Sequence, residues 1–382
     1  MQKLDPKCYF FEQFLQALFF GLSIETPSLR RLIFELKTNA SAKALELASI
    51  KFSTFKDGFS RFKAADFMRL YQYLLTTISW EKVGDKNLNG TGLLKVVDGS
   101  SFPLLKGMNW GTFRKTKNAF KIHIALNITT LCVTNFLLTA ANASEREALV
   151  GFIEAAVTYI ADRGYFSFAL ANLIQKSEAF FVFRLKRNYK IDVLEKLAIT
   201  GIIPDCCLKV SDKLIRFRSN PLKTDAAIFR LVSFQVLKTH FIICTNRRDL
   251  TTLQIILLYV YRWQIELFFK FIKRSLNAIH LFCQSPNGAT VYIYVILCFV
   301  LLQMALKQKS HNIVKKQHKE TGLVVLEKEI PPPNFAFAAD WVYEMGKIFK
   351  KLFKISADWL TYLKNSITQL LDYQVISNFA GL

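Results

Sequence analysis

The stretch Tyr259-Val-Tyr-Arg262-Trp263-Gln-Ile-Glu266, continued by Leu-Phe-Phe-Lys270-Phe-Ile-Lys273, decides how the chain is read. Wound as a helix at about 100° per residue, it gathers Tyr259, Arg262, Glu266, Lys270 and Lys273 within an arc roughly 80° wide and turns Leu267, Phe268 and Phe271 elsewhere. A single carboxylate among cations on an otherwise apolar helix suits a site that holds a metal ion beside a phosphodiester. The plainer alternative is a solvated face on which Glu266 pairs with Arg262 or Lys270 across one helical turn. The rest of the chain decides between them.

Upstream, two further carboxylates stand where strands are expected to end. Leu93-Leu-Lys-Val-Val-Asp98 is a short apolar run closed by an acid, Phe120-Lys121-Ile-His123-Ile-Ala-Leu-Asn-Ile alternates, and Leu131 to Ala140 supplies a third run. Ser144-Glu-Arg-Glu147 has the form of a helix capping box. The helix it opens leads to a strand ending Thr158-Tyr-Ile-Ala-Asp162, and a helix over 166–176 precedes the strand 179–186. The stretch from about 187 to 246 alternates again and is read as a β-rich insertion, followed by one helix from Leu250 to about Leu276 that carries the opening stretch. The fold class is therefore α/β, a mixed sheet with flanking helices.

Taken singly, Asp98 before Gly99 and Asp162 before Arg163-Gly164 read as turn residues. The order strand-Asp, strand-Asp, helix-Glu changes that. Carboxylates at the C-terminal ends of neighbouring strands converge in space, and a Glu from an adjacent helix completes an all-oxygen ligand set. With no Cys or His cluster at zinc spacing, Mg²⁺ or Mn²⁺ is the expected metal, and two such ions would activate a water or a 3′ hydroxyl and stabilise the leaving oxygen.

Charge supplies the substrate. The chain has 51 Lys and Arg against 29 Asp and Glu, a formal charge of +22, which points to a polyanion such as nucleic acid and excludes a strongly acidic or disordered class. Its seven cysteines form no C-x-x-C pair and are expected to be reduced, mostly buried thiols of a cytoplasmic protein. No secretion signal is expected at the N-terminus. Ala289 to Leu302 falls short of the ~20 apolar residues of a membrane span and reads as a buried core helix, so no membrane partner is expected.

The flanks are helical. Residues 1–85 form a helical region with interspersed cations (Arg30, Arg31, Lys37, Lys51, Lys56, Arg61, Lys63) and read equally as a DNA-binding module or as an amphipathic cap on the next domain. A catalytic domain is expected over 90–310. Residues 311–382, interrupted by Pro331-Pro-Pro333, form a helical region that is a candidate for dimerisation.

The chain resembles bacterial insertion-sequence transposases with an Asp-Asp-Glu triad, in the insertion sequence four family, marked by Tyr-x-x-Arg-x-x-x-Glu-x-x-x-x-x-x-Lys. Tyr259, Arg262, Glu266 and Lys273 meet that signature at every spacing. Val96-Val-Asp98-Gly-Ser-Ser, Lys121-Ile-His123, Ala161-Asp162-Arg-Gly-Tyr165, Arg184-Leu-Lys186 and Thr245-Asn246-Arg247 extend the resemblance over roughly Leu93 to Leu306. It implies an RNase H-like fold with the β insertion lying between the second Asp and the Glu. It also implies cut-and-paste chemistry on double-stranded DNA: nicking at the terminal inverted repeats, then attack by the 3′ hydroxyl, in some relatives through a hairpin, with a homodimer in the synaptic complex. By the same resemblance Asp98, Asp162 and Glu266 bind metal, while Tyr259, Arg262 and Lys273 hold phosphates.

Trp263 is a candidate to stack on an exposed base, its alternative being a core ring. Lys270 shares the cationic face, and Lys121 and His123 are candidate phosphate contacts or a polar strand edge. Hairpin-forming relatives use a tryptophan from the insertion. Here Trp occurs only at positions 80, 110, 263, 341 and 359, leaving Phe234 or His240 for that place. The rival readings are a nuclease of the same fold without strand transfer and a catalytically dead DNA-binding remnant.

Overall fold

The computed structural model describes residues 6–80, 88–104, 112–114, 117–220, 228–275, 281–283 and 285–320. The region beyond 320, with Trp341 and Trp359, lies outside the described residues, as does Trp110. Helices α1 (Pro6–Ser23), α2 (Leu29–Thr38), α3 (Ala40–Ala44), α4 (Phe52–Arg61) and α5 (Ala64–Thr77) come first. Strands β1 (Leu93–Pro103), β2 (Thr112–Arg114), β3 (Lys117–Asn127) and β4 (Val133–Ala140) follow, then α6 (Glu145–Val150), β5 (Val157–Ala161), α7 (Phe168–Lys176) and β6 (Phe180–Arg184). The insertion contributes β7 (Ile191–Lys196), β8 (Leu208–Phe217), β9 (Ile228–Val236) and β10 (Thr239–Thr245), and α8 (Thr252–Tyr261), α9 (Trp263–Ser275) and α10 (Pro286–Glu320) complete the described chain.

The ten strands among the described residues join one sheet in the order β2-β3-β1-β5-β6-β10-β9-β8-β7, with β4 on β3. The centre, β1-β5-β6, is parallel, and β3 and β10 flank it antiparallel. The insertion is therefore an extension of the central sheet, because β10 pairs directly with β6. Central strands are apolar on both faces, as expected of strands covered on both sides. On β5 and β6, Tyr159, Ala161, Phe181 and Phe183 face a core with α7, while Ile160 and Val182 face the larger core of the N-terminal helices, α8, α9 and α10.

Two boundaries differ from expectation. β1 does not stop at Asp98 but runs on to Pro103, because its antiparallel ladder with β3 continues to Pro103 opposite Ala119. Its parallel ladder with β5 ends earlier, at Val96 opposite Ile160. Asp98 thus sits two residues past the parallel register, where the sheet opens. The helix expected from Leu250 to Leu276 is two helices, parted at Arg262, whose amide bonds back to the Tyr259 carbonyl at 3.2 Å in a tightened turn. Ser144 caps α6 as expected, its hydroxyl accepting from the Glu147 amide.

The N-terminal helices are built into the body. In α2, Ser28 caps the helix and Leu29, Leu32 and Leu36 recur on its buried face. Asn287, at the start of α10, accepts from the Ala64 amide and donates to the Phe59 and Phe62 carbonyls, fixing the α4–α5 corner. Arg30, Arg31, Lys37, Lys51, Lys56, Arg61 and Lys63 remain exposed on the outer side. The Tyr71 hydroxyl donates to the Val133 carbonyl of β4 at 2.5 Å, with both groups buried. Tyr71→Phe is expected to lower unfolding free energy by about 1 kcal/mol through that lost bond, read from the denaturant midpoint.

The apolar stretch of α10, 286–305, is 83% buried within the fold. It is long and apolar enough to span a bilayer by length and composition alone, but it packs as a core helix.

Candidate active site

Side-chain alternation places Asp98 on the same face of β1 as Leu94 and Val96, the face on which α9 packs. Asp162 follows the last residue of β5 in a turn closed by the Tyr165 amide bonding to the Asp162 carbonyl at 3.1 Å. Glu266 lies in the first turn of α9. Alternation and the strand ends therefore direct two acids from the sheet, and the α8–α9 turn directs the third from above.

Arg262 stands among them. Its Nη1 donates to Glu266 Oε1 at 2.7 Å, although Arg262 is only 7% exposed. Its guanidinium lies 5.6 Å from the Tyr259 ring centre and 5.8 Å from that of Trp263. The Arg262 Nε is buried with no partner among the described residues. The Tyr259 hydroxyl donates to Asp162 Oδ1 at 3.1 Å, and Arg184 Nη1 lies 3.8 Å from the same oxygen. Burial raises the Tyr259 hydroxyl above its ordinary range, with Arg262 opposing and Asp162 adding to the rise, so it stays a proton donor.

Asp98 is under stress. Burial pushes its carboxyl up to about 6; the Gly99 amide, donating to Oδ1 at 2.8 Å, and Arg262 oppose this, while Glu145 and Glu266 raise it further. A carboxyl raised mainly by burial, with two acids adding to the rise, marks a candidate functional group. The donors are all oxygens, the chemistry that suits Mg²⁺ or Mn²⁺. Among the described residues no three of His, Cys, Asp and Glu converge closely enough to hold an ion as they stand, and Arg262 and Tyr259 are bonded to Glu266 and Asp162.

The cations divide into two groups. Lys270 is exposed one turn beyond Glu266 and open to a phosphate. Lys273 is tied inward: its Nζ donates to Ser100 Oγ at 2.8 Å and lies 4.7 Å above the Phe102 ring. Trp263 is 43% exposed, so it is a ring on the rim of the site and not a core ring. Lys121 pairs with Glu145 at 3.1 Å. His123 is 1% exposed, its Nε2 lies 2.9 Å from Thr139 Oγ1, and burial with Lys121 lowers it to about 4. A neutral, buried imidazole is a poor phosphate contact, and His123 serves as a structural neighbour of Gly99.

Of the insertion residues, Phe234 is fully buried, stacked 5.0 Å from Phe241, and offers no ring to a flipped base. His240 is half-buried on β10. The ring that the insertion does bring to the site is Phe241, 4.5 Å from the Arg184 guanidinium and 5.8 Å from the Tyr259 ring. Sequence reasoning missed Phe241 and Glu145; nothing in their local spacing marks either, and only strand pairing brings them in. Arg184 had a signal in Arg184-Leu-Lys186. The Thr245-Asn246-Arg247 segment lies at the far end of the sheet, where Asn246 bonds the Phe181 amide and Arg247 bonds the Thr91 carbonyl and Thr158 hydroxyl, as a staple.

Residues 90–302 match the protein family described as Transposase DDE domain. A protein of Sinorhizobium fredii (strain NBRC 101917 / NGR234), named "Putative transposase y4zB", is similar at 27% identity over 221 residues, 56% of this chain and 62% of that protein. The chain thus spans less than two thirds of that relative's length. The matched family range contains Asp98, Asp162, Glu266 and the surrounding cations.

Proposed function

This chain belongs to the transposase DDE-domain family, and from that premise we propose that it cuts phosphodiester bonds at the ends of an insertion sequence and joins the freed 3′ hydroxyl ends to target DNA. We read the sheet and its flanking helices as RNase H-like and the chain as carrying the Tyr-Arg-Glu-Lys signature of the insertion sequence four family. The observation that supports this best is the arrangement around Arg262: Glu266 bonded to it, Asp98 within its field, and Asp162 held by Tyr259 across from it.

Asp98, Asp162 and Glu266 would hold two Mg²⁺ or Mn²⁺ ions, which would supply Lewis-acid activation of the attacking oxygen and charge stabilisation at the leaving oxygen. The protein's own part is positional. Tyr259 fixes the orientation of Asp162, and Arg184 stands behind it. Arg262, whose Nη1 now donates to Glu266 Oε1, would be the cation offered to the reacting phosphate. Lys270 would hold a flanking phosphate, which adds affinity that falls as salt rises, and Lys273 would hold one on leaving its bond to Ser100. A hairpin route would require an aromatic acceptor from the insertion, for which Phe241, against Arg184, is the candidate. Two ends brought together imply a dimer in the synaptic complex, and a DNA substrate implies a cytoplasmic location at the nucleoid.

The test uses the full chain with linear DNA carrying the ends that flank its gene. The expected products with Mg²⁺ are nicks at the end sequences and joined strands, both lost in EDTA. Cleavage without joining would leave the nuclease reading; DNA binding without Mg²⁺-dependent cleavage would leave the inactive remnant. Trp263→Ala is expected to change unfolding free energy by less than about 0.5 kcal/mol, since the ring is exposed. It should weaken binding to a DNA end with unpaired bases by about 1–3 kcal/mol, measured by fluorescence anisotropy.

A further inference from the structure

Level with the two aspartates, the sheet stops at its centre and rises beside it. Pairing aligns Ala161 of β5 with Phe183 of β6, and Phe183 with Cys244 of β10, so Asp162, Arg184 and Ile243 form the next row. Asp98 stands in the same row, two residues past the pair of Val96 with Ile160. β5 and β6 end at that level, whereas β10 reaches on from Ile243 to Thr239, which pairs with Val236 of β9. Four further residues at the rise of a strand carry the β9–β10 hairpin about 13 Å past Arg184, at the end of the sheet that bears Asp98 and Asp162.

The tip of this hairpin goes against the ordinary preferences of its residues. Leu237 is 85% exposed and has a φ of 51°, a left-handed conformation that leucine avoids. Gln235 Nε2 donates to the Leu237 carbonyl at 2.8 Å and holds it there. On β8, Lys209 lies in the register shift between Leu208 and Ser211, exposed and with a φ of 50°. A bulge of this kind re-aims a side chain. Leu208 pairs with Gln235, and Gln235 with His240, so both strained residues belong to one end of the β8–β9–β10 sheet. Cations collect there. Lys238 is exposed next to Leu237, and Arg187 is exposed just beyond β6. Burial, and after it the charges of Arg187 and Lys209, hold the His240 imidazole below its ordinary range, which places both cations beside the hairpin.

We propose that the β9–β10 hairpin is a DNA-gripping arm: Leu237 enters the DNA beside the bond to be cut as an apolar wedge against the bases, while Lys238, Lys209 and Arg187 take phosphates around it. The inference rests on the transposase reading above and adds to it the surface that holds the duplex. Backbone strain persists where a ligand makes use of it, and an exposed leucine buries almost nothing for the fold. Apolar side chains inserted between base steps, with cations on the neighbouring phosphates, are a recurrent way of gripping and bending duplex DNA. A second copy of the chain fits the tip less well, because a two-fold contact would set these cations against their own counterparts.

The experiment measures binding of the full 382-residue chain to a linear duplex carrying one of the ends that flank its gene, by fluorescence anisotropy in EDTA over a range of salt, with thermal melts as the fold control. Leu237→Gly relieves the left-handed backbone and removes the wedge, so it is expected to melt no lower than the wild type while binding the DNA about 10-fold more weakly or worse, at an unchanged salt slope. Lys238→Ala is expected to lower the slope of log affinity against log salt by about 1, the mark of one lost phosphate contact. If both variants bind with wild-type affinity and slope, the arm is wrong and the transposase reading stands. If Leu237→Gly keeps its DNA affinity but turns a self-associated wild type into a monomer by sedimentation, the tip meets a second copy and the proposal fails. If the wild type binds no DNA, the functional reading falls and takes this inference with it.

Discussion

Asp98→Asn is expected to make the metal-free protein more stable above pH 6 while removing Mg²⁺-dependent cleavage. The folded protein raises the Asp98 carboxyl from 3.8 to about 6, mainly by burial, so the folded state binds the proton more tightly than the unfolded chain. The stability associated with that proton is complete below pH 3.8 and is lost as pH rises through 6. At pH 8 the charged carboxylate therefore costs roughly 2–3 kcal/mol, which a neutral isostere recovers. Asn also keeps an oxygen for the Gly99 amide. Thermal melts in EDTA at pH 8 and at pH 4 test this: the gain belongs at pH 8 only, and equal melts at pH 8 would refute it. Cleavage at the DNA end is expected to fall by about 10³-fold or more, the scale of several kcal/mol of lost transition-state stabilisation. Glu266→Gln loses cleavage similarly but gains no stability, since it weakens the ion pair of the buried Arg262.

His123 adds a counter-slope. Its imidazole is lowered from 6.5 to about 4, mainly by burial, so its contribution is complete above pH 6.5 and is lost as pH falls through 4. Between pH 4 and 6 the Asp98 and His123 slopes oppose each other and the wild type should be nearly flat. In Asp98→Asn only the His123 slope remains, and stability should fall with acid across that window.

Asp212→Ala is expected to cost about 3–5 kcal/mol, the usual penalty for stranding a buried charge. Asp212 and Arg230 have side chains 0% and 5% exposed and pair bidentately through one guanidinium edge, Nε at 2.9 Å and Nη2 at 2.6 Å. Thr252, the first residue of α8, adds its hydroxyl to Asp212 Oδ2 at 2.8 Å, and Arg230 also donates to the Leu250 carbonyl. The pair therefore joins strands β8 and β9 to the start of the helix that carries Tyr259. Denaturant midpoints read the loss, and a joint Asp212→Leu, Arg230→Met replacement should recover much of it, because two apolar groups strand no charge. Recovery failing while the single variant is mild would show that the bridge matters for geometry more than for charge.

Much of the central fold was legible because apolar alternation reports burial directly. β1, β3 and β4, and the β5–α7–β6 unit, lie within a few residues of where period and turn signals put them. Element ends were less legible. Nothing local to Asp98 says that β3 outlasts β5 as a partner, and this decides that Asp98 lies inside a strand. The α8–α9 break was hidden because Arg262 keeps near-helical angles, φ −53° and ψ −28°, in residues of good helical pattern.

The amino-acid sequence alone determined the chemical inventory: a strongly basic chain, three acids in the order strand, strand, helix, and a cationic stripe at helical spacing with Glu266 at its centre. These follow from residue type and period, which act over a few neighbours. Tertiary structure alone decided which inventory members meet. Register between β1 and β3 set Lys121 and His123, with Glu145 against them, on the Gly99 face of β1, and pairing of β10 with β6 brought Phe241 to Tyr259. Burial then turned like residues to different uses, leaving Lys270 and Trp263 to solvent while binding Lys273 inward. The reason is that strand register and desolvation are properties of the whole sheet, and no stretch of chain carries them by itself.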